Sequence, residues 1–203
     1  MILLSFDTEE FDVPREHGVD ISLEAGMRVS IEGTNRILDV LKQNNVKATF
    51  FCTGNFAENA PEVMQRIMDE GHEVACHGVD HSQPKATDFA MSKQIVERVT
   101  GRTVYGYRQP RMFAVSDEEI EKAGYAPGKD IIIISIDGGQ EAIDVLKEGK
   151  INCVVECTPK LGKEVMETAI KLKAGEEVNE VIHPVEQVFS DEQDTSKIPD
   201  RGY

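Results

Sequence analysis

The sequence predicts an α/β protein with mainly parallel strands, built from about six βα units in a single domain over residues 1–203. Short apolar runs alternate with longer amphipathic segments along the chain, which is typical of βα units. A length of 203 residues suits one sizeable core and is short for two complete domains. The mainly parallel sheet is therefore expected to be either open and doubly wound or an incomplete, distorted barrel.

The individual elements follow from local patterns. Six apolar runs rich in β-branched and aromatic residues predict strands. An apolar stripe through Ile31, Leu38 and Leu41 predicts the first helix, and Ser116 with Glu119 forms a capping box at the start of the fourth. The predicted strands are 2–6, 48–52, 73–76, 104–107, 130–136 and 151–157, and the predicted helices are 30–44, 61–70, 86–100, 116 onward, 140–147 and 162–173. The polar stretch 190–203 is expected to be irregular.

The charge of the chain excludes two classes of partner. With 37 acidic and 22 basic residues the formal net charge is -15, so the surface repels nucleic acid and anionic membranes. The N-terminal residues form neither a basic segment nor a long apolar one. A soluble protein without a signal peptide is therefore expected, produced in the cytoplasm on recombinant expression. The sequence leaves the oligomeric state open.

The first predicted strand ends in an acidic segment. Asp7 and Glu9 alternate along it, so both side chains are expected on one face, where one can bind a metal ion and the other can act as a base. Glu10 and Asp12 follow, and a solvated acidic loop is the alternative interpretation of these two residues. Functional groups of parallel α/β folds collect at the carboxyl ends of strands. The segment is therefore a candidate site.

Two further motifs follow later predicted strands. His77 and His81 are four residues apart, so on one helical turn their rings face the same way and can share a metal ion. The alternative is a polar loop with hydrogen-bonded imidazoles. Arg108 is placed to orient Asp7 through bidentate hydrogen bonds, unless it is an ordinary surface arginine. All three motifs are expected at one rim of the sheet.

Taken together, the motifs resemble those of the NodB-homology polysaccharide deacetylases, carbohydrate esterase family four. The resemblance covers about residues 1–125. It implies metal-dependent hydrolysis of the N-acetyl groups of a carbohydrate, with zinc or cobalt as the metal. The commonest first motif of the family has two consecutive acids, whereas Thr8 takes the second place here, so the next acid is assigned as the ligand. The implied metal ligands are Glu9, His77 and His81, and the implied catalytic residues are Asp7 and Arg108.

The last third of the chain follows a different pattern. Residues 128–203 resemble the C-terminal part of type I periplasmic sugar-binding proteins of the ribose and galactofuranose group, in which Asp137 would contact sugar. Fragments of two families, joined near residues 125–129 without a linker, predict an engineered fold chimera. Such a chimera would have no physiological function and, at most, a vestigial metal site. A working metal-dependent deacetylase is the first alternative. A sugar-binding module is the second.

Overall fold

The computed structural model describes residues 3–111 and 116–203, and the chain divides into two compact units, Met1–Ala123 and Gly124–Tyr203. Each unit contains one three-stranded sheet. The α/β class with mainly parallel strands is confirmed, although the strands in the described ranges form two small sheets rather than one. The sequence prediction placed a joint near residues 125–129, and the boundary between the units follows Ala123.

The first unit carries a fully parallel sheet with the strand order β1-β2-β3. Thr8, Cys52 and Cys76 are in register at the carboxyl ends of the three strands, so the loops that follow β1 and β3 leave the same edge. The elements are β1 (Leu4–Thr8), α1 (Val13–Glu16), α2 (Leu23–Gln43), β2 (Ala48–Cys52), α3 (Gly54–Asn59), α4 (Pro61–Asp69), β3 (Glu73–Cys76), α5 (Asp88–Thr100) and α6 (Asp117–Lys122).

Helices pack onto this sheet through a continuous apolar core. Phe50 of β2 is fully buried against Leu38 of α2, Phe56 of α3 and Met64 and Ile67 of α4 in one cluster. Burying one such side chain contributes about 1.5–3 kcal/mol to folding. The core therefore fixes β2 between the two strands that lead to the acidic and histidine motifs.

The second unit carries a mixed sheet with the strand order β4-β5-β6, in which β4 and β5 are parallel and β5 and β6 antiparallel. Ile143 and Leu146 of its first helix pack with Val154 and Phe189 in a separate apolar cluster. The elements are β4 (Ile134–Asp137), α7 (Gln140–Lys147), β5 (Cys153–Glu156), α8 (Gly162–Ala174), β6 (Val188–Ser190) and a 3₁₀ helix, Thr195–Lys197.

Three predictions for the first unit were wrong in detail. The predicted strand 104–107 is reduced to a single bridge between Tyr107 and Cys76. Helix α2 begins earlier than predicted, because Ser22 caps it by accepting a hydrogen bond from the Ala25 amide. The short helices α1 and α3 were not predicted at all. Ile2, the predicted start of the first strand, lies outside the described residues.

The second unit differs from prediction at its strands. Strand β4 is shorter than the predicted 130–136, because the Asn152 side chain accepts the hydrogen bond of the Ile133 amide in place of a neighbouring strand. The stretch expected to be irregular contains the 3₁₀ helix and the last residue of β6. Across residues 3–111 and 116–203, no helix is long and apolar enough to cross a membrane.

His72 makes the stability of the first unit depend on pH. The ring is buried, and its Nδ1 accepts a hydrogen bond from the Ala48 amide at 3.2 Å. Burial, with a smaller contribution from Lys47, lowers the pKa of His72 below its ordinary 6.5. The pKa of His72 is lower in the folded protein than in the unfolded chain, so the neutral ring contributes fully to stability above pH 6.5. This contribution is lost as the pH falls from 6.5 to the pKa of the folded protein.

We expect the free energy of unfolding to fall as the pH is lowered below about 6.5, by at most about 1.4 kcal/mol per pH unit for this one group. His72→Asn keeps an acceptor near the Nδ1 position and cannot be protonated, so its unfolding should depend less on pH than that of the wild type. Urea unfolding across this range measures both proteins. Parallel curves for the two would contradict the assignment.

Candidate metal centre

The ends of β1 and β3 bring the acidic and histidine motifs together. Asp7 lies within β1 and Glu9 follows that strand directly, while His77 follows β3. The His77 amide donates to the Cys52 carbonyl at 2.8 Å, which continues the pairing of β3 with β2 beyond the last strand residue. Both motifs thus meet at one edge of the sheet, as the parallel arrangement predicts.

Three ligand atoms converge at this edge. Oε2 of Glu9 lies 3.3 Å from Nε2 of His77 and 3.1 Å from Nε2 of His81. Within the described residues, Glu9, His77 and His81 form the only group of His, Cys, Asp and Glu side chains whose ligand atoms all lie within 4.8 Å of one another. The structure therefore gathers the three predicted metal ligands.

Both imidazoles present Nε2 to this point because Nδ1 is already engaged. Nδ1 of His77 lies 2.8 Å from the carbonyl oxygen of Arg108, which can only accept, so this nitrogen carries the proton. Nδ1 of His81 lies 3.0 Å from Oδ2 of Asp12. Each ring consequently directs Nε2 toward Glu9.

The donor set fits a divalent cation. Glu9 Oε2 is buried without a hydrogen-bond partner among the described residues, and two imidazole nitrogens face it. Such an arrangement favours positive charge between the atoms, and one carboxylate with two imidazoles is a ligand set that zinc accepts. Burial alone lowers the pKa of His77, but Glu9 and the Arg108 carbonyl outweigh burial and raise that pKa above its ordinary value.

Asp7 lies beside the three ligand atoms and is held by Arg108. Nη1 of Arg108 donates to Oδ1 of Asp7 at 2.5 Å, and Nη2 donates to Ser5 Oγ at 2.8 Å. The prediction of a bidentate contact with Asp7 was wrong, because Ser5, two residues earlier on the same strand face, takes the second donor. The guanidinium also stacks on the Phe51 ring, 4.0 Å from its centroid. Oδ2 of Asp7 lies 4.0 Å from His77 Nε2.

Glu10 and Asp12 are buried, so their interpretation as a solvated loop was wrong. Glu10 is 3% exposed and accepts hydrogen bonds from Thr53 Oγ1, from Asn55 Nδ2 and from the His81 amide. It thereby fixes the main chain of the second histidine. The available signal was a second pair of acids, two residues apart, directly after the first pair.

Asp12 is the second residue whose importance was missed. It is 2% exposed, and its Oδ2 accepts from His81, Ser82 and Arg111. Burial raises its pKa, but the hydrogen bonds from Ser82, His81 and Arg111 outweigh burial, so the pKa lies below the ordinary value of an aspartate. The side chain is therefore an ionised carboxylate.

The two histidines are joined by a loop with hydrogen-bonded imidazoles, as in the alternative interpretation, and not by the helical turn considered for a shared metal ion. Their rings stack with centroids 5.6 Å apart. Gly78 in this loop has a φ of +71°, and a Cβ on Gly78 would lie 2.8 Å from Cγ of Pro110. The loop thus requires glycine both for its backbone conformation and for close contact with the segment that carries Arg108.

Gly78→Ala tests this contact. We expect it to destabilise the fold by about 1–3 kcal/mol through backbone strain alone, and further because the loop must move away from Pro110. Gly101→Ala is the matched control, since Gly101 has a φ of +65° and open space around it. Denaturant unfolding should rank Gly78→Ala as the less stable variant, whereas equal losses would show that the contact with Pro110 is unimportant.

Two known proteins similar to this chain are named as deacetylases. The chain is 51% identical over 68 residues to the peptidoglycan-N-acetylglucosamine deacetylase of Bacillus cereus, a stretch that covers 33% of this chain and 25% of that protein. It is 31% identical over 102 residues to the peptidoglycan-N-acetylmuramic acid deacetylase PdaA of Bacillus subtilis, covering 45% of this chain and 39% of that protein. The chain therefore spans well under half the length of these relatives.

A solved structure of the Bc1960 peptidoglycan N-acetylglucosamine deacetylase is 26% identical to this chain, with a TM-score of 0.45, and the match covers 70% of this chain and 59% of that one. The two deacetylase relatives favour the deacetylase interpretation over the main prediction, an engineered chimera without function, and they give no support to a binding-protein portion.

The family itself follows from a match over more than half of the chain. The family model described as polysaccharide deacetylase matches residues 14–127, a range that contains His77, His81 and Arg108. Asp7 and Glu9 lie just before the matched range and meet these residues in the folded first unit. This chain belongs to the polysaccharide deacetylase family.

Proposed function

We propose that the first unit is a metal-dependent deacetylase that hydrolyses N-acetyl groups on a carbohydrate polymer. The observation that carries the proposal is the convergence of Glu9, His77 and His81 beside an aspartate held by an arginine. The names of the two relatives support the substrate class, since both proteins are named as deacetylases of N-acetylated sugars in peptidoglycan. Residues 128–203 have no part in this proposal, and their likeness to sugar-binding proteins stays a prediction.

Glu9, His77 and His81 would hold the metal ion, for which zinc or cobalt fits the mixture of imidazole and carboxylate ligands. When bound, such an ion supplies Lewis acidity to the attacking water and to the acetyl carbonyl. The remaining roles belong to side chains. Asp7 is the general base, because its Oδ2 faces the ligand cluster while Oδ1 is held by Arg108.

Arg108 keeps that base in place. Its guanidinium is fixed from three directions, by Asp7, Ser5 and the Phe51 ring. Overall, one water adds to the acetyl carbon, the amide C–N bond breaks, and the products are acetate and a free amine on the sugar.

The proposal is tested by incubating the full chain with N-acetylated chito-oligosaccharides or peptidoglycan fragments. We expect acetate and free amine to form in equal amounts when zinc or cobalt is present. Release should stop on addition of a chelator and return when the metal is restored. Turnover that survives chelation, or its absence with every metal and both substrates, would overturn the proposal.

A further inference from the structure

We infer that Asp12 is a positioning residue of the metal centre, which holds the His81 ring so that Nε2 faces Glu9. The inference rests on the proposed function, because it assigns to Asp12 a part in the same site. Asp12 is the residue at which all three motifs meet. Its Oδ2 accepts from His81 Nδ1 at 3.0 Å, from Ser82 Oγ at 2.8 Å and from Arg111 Nη2 at 3.0 Å.

The two histidines of the site are oriented by different groups. His77 donates its Nδ1 proton to a neutral main-chain carbonyl, whereas His81 donates to a carboxylate. A carboxylate acceptor fixes the tautomer and also makes the opposite nitrogen a stronger electron donor to a metal. We therefore expect His81 to depend on a side chain for its ligand strength, while His77 depends only on the backbone.

The carboxylate is itself held in place independently of the histidine. Ser82 and Arg111 both donate to Oδ2 of Asp12, the oxygen that also accepts the hydrogen bond from His81. Two contacts other than His81 therefore set the position of that oxygen. Asp12 is 2% exposed, and its Oδ1 is buried without a hydrogen-bond partner among the described residues. Burying a charged carboxylate is unfavourable unless it is hydrogen-bonded, and all three donors here converge on the oxygen that faces His81.

The test is Asp12→Asn in the full chain, with the dissociation constants of zinc and cobalt measured by competition against a chromophoric chelator. Asparagine keeps the size and one acceptor and removes the charge. We expect the metal to bind about 10–100-fold more weakly, as is usual when the partner of a ligating histidine is lost. The visible absorption of the cobalt form should also change, because the His81 ring is no longer fixed.

Asp20→Asn is the matched control, since it removes one exposed carboxylate from the same N-terminal region. Metal affinity and cobalt absorption that are the same in the Asp12 variant and this control would overturn the inference while leaving the proposed function intact. A wild-type chain that binds neither metal would overturn both. Circular dichroism of the metal-free proteins separates a lost ligand orientation from a lost fold.

A measurement on the wild type keeps the inference testable if Asp12→Asn fails to fold. Nitrogen-15 NMR of the zinc-loaded protein identifies which ring nitrogen of His81 carries the proton, and His81→Gln assigns the signal. A proton on Nδ1 in a strong hydrogen bond is expected. An unprotonated Nδ1 at His81 would overturn the inference.

Discussion

Asp7→Asn is expected to reduce kcat by about 10²–10⁴-fold, the range attributed to a general base, while zinc still binds. The reason is geometric. Asp7 Oδ2 lies 4.0 Å from His77 Nε2, whereas Glu9 Oε2 lies 3.3 Å from the same atom, so Glu9 is the proposed ligand and Asp7 its neighbour. Acetate release and metal titration of the same preparation measure the two quantities separately.

Asp20→Asn is again the control for the removal of one carboxylate, and it should leave both quantities unchanged. If Asp7→Asn lost the metal together with the activity, Asp7 would be a ligand. Activity retained in Asp7→Asn would instead assign the base to another group.

Glu9→Gln is expected to remove both metal binding and activity. The substitution preserves the shape of the side chain and removes the only carboxylate among the three converging ligands. Loss of the hydrogen-bond partner of a metal ligand weakens metal binding about 10–100-fold. We expect the loss of a ligand itself to weaken metal binding by more than this. Zinc should then no longer raise the unfolding temperature of the protein.

Glu24→Gln is the matched control for this second substitution, because Glu24 is exposed in the first turn of α2. Calorimetry of both variants with and without zinc makes the comparison. An unfolding temperature of Glu9→Gln that still rises with zinc as in the wild type would place the ion elsewhere.

The sequence predicted the residues that gather at the candidate site because their positions depend on simple geometry. In a parallel sheet, strand ends that are in register leave the same edge. Asp7 is the last residue but one of β1, His77 follows β3, and Arg108 follows the bridge at Tyr107. The direction of the rings and the second donor of Arg108 depend on side-chain contacts instead. These contacts leave no periodic pattern in the sequence.

Asp12 illustrates what could not be predicted. Its partners His81, Ser82 and Arg111 are 69, 70 and 99 residues away in the chain, so no local pattern distinguishes it from a solvated acid. Helix α3 was missed for a related reason. It is six residues long and begins with glycine, and it is held by the Thr53 cap and by the hydrogen bond from the Gly54 amide to the Gly78 carbonyl.

The division into two sheets could not be predicted from local sequence patterns either. A βα unit has the same apolar periodicity whether its strand joins one large sheet or a separate small one. What separates the units is pairing. Within the described ranges, β1 and β3 each bond to β2, and β4 bonds to β5, which also pairs with the antiparallel β6.

The strand order of the first unit links the candidate site to the dynamics of the sheet. Glu9 follows β1 and the histidines follow β3, and these two strands do not touch, because β2 lies between them. An ion held by all three ligands would therefore clamp the outer strands together across the central one. Zinc should then slow amide hydrogen exchange in β2, a strand that supplies no ligand, because β2 opens to solvent only when an outer strand separates.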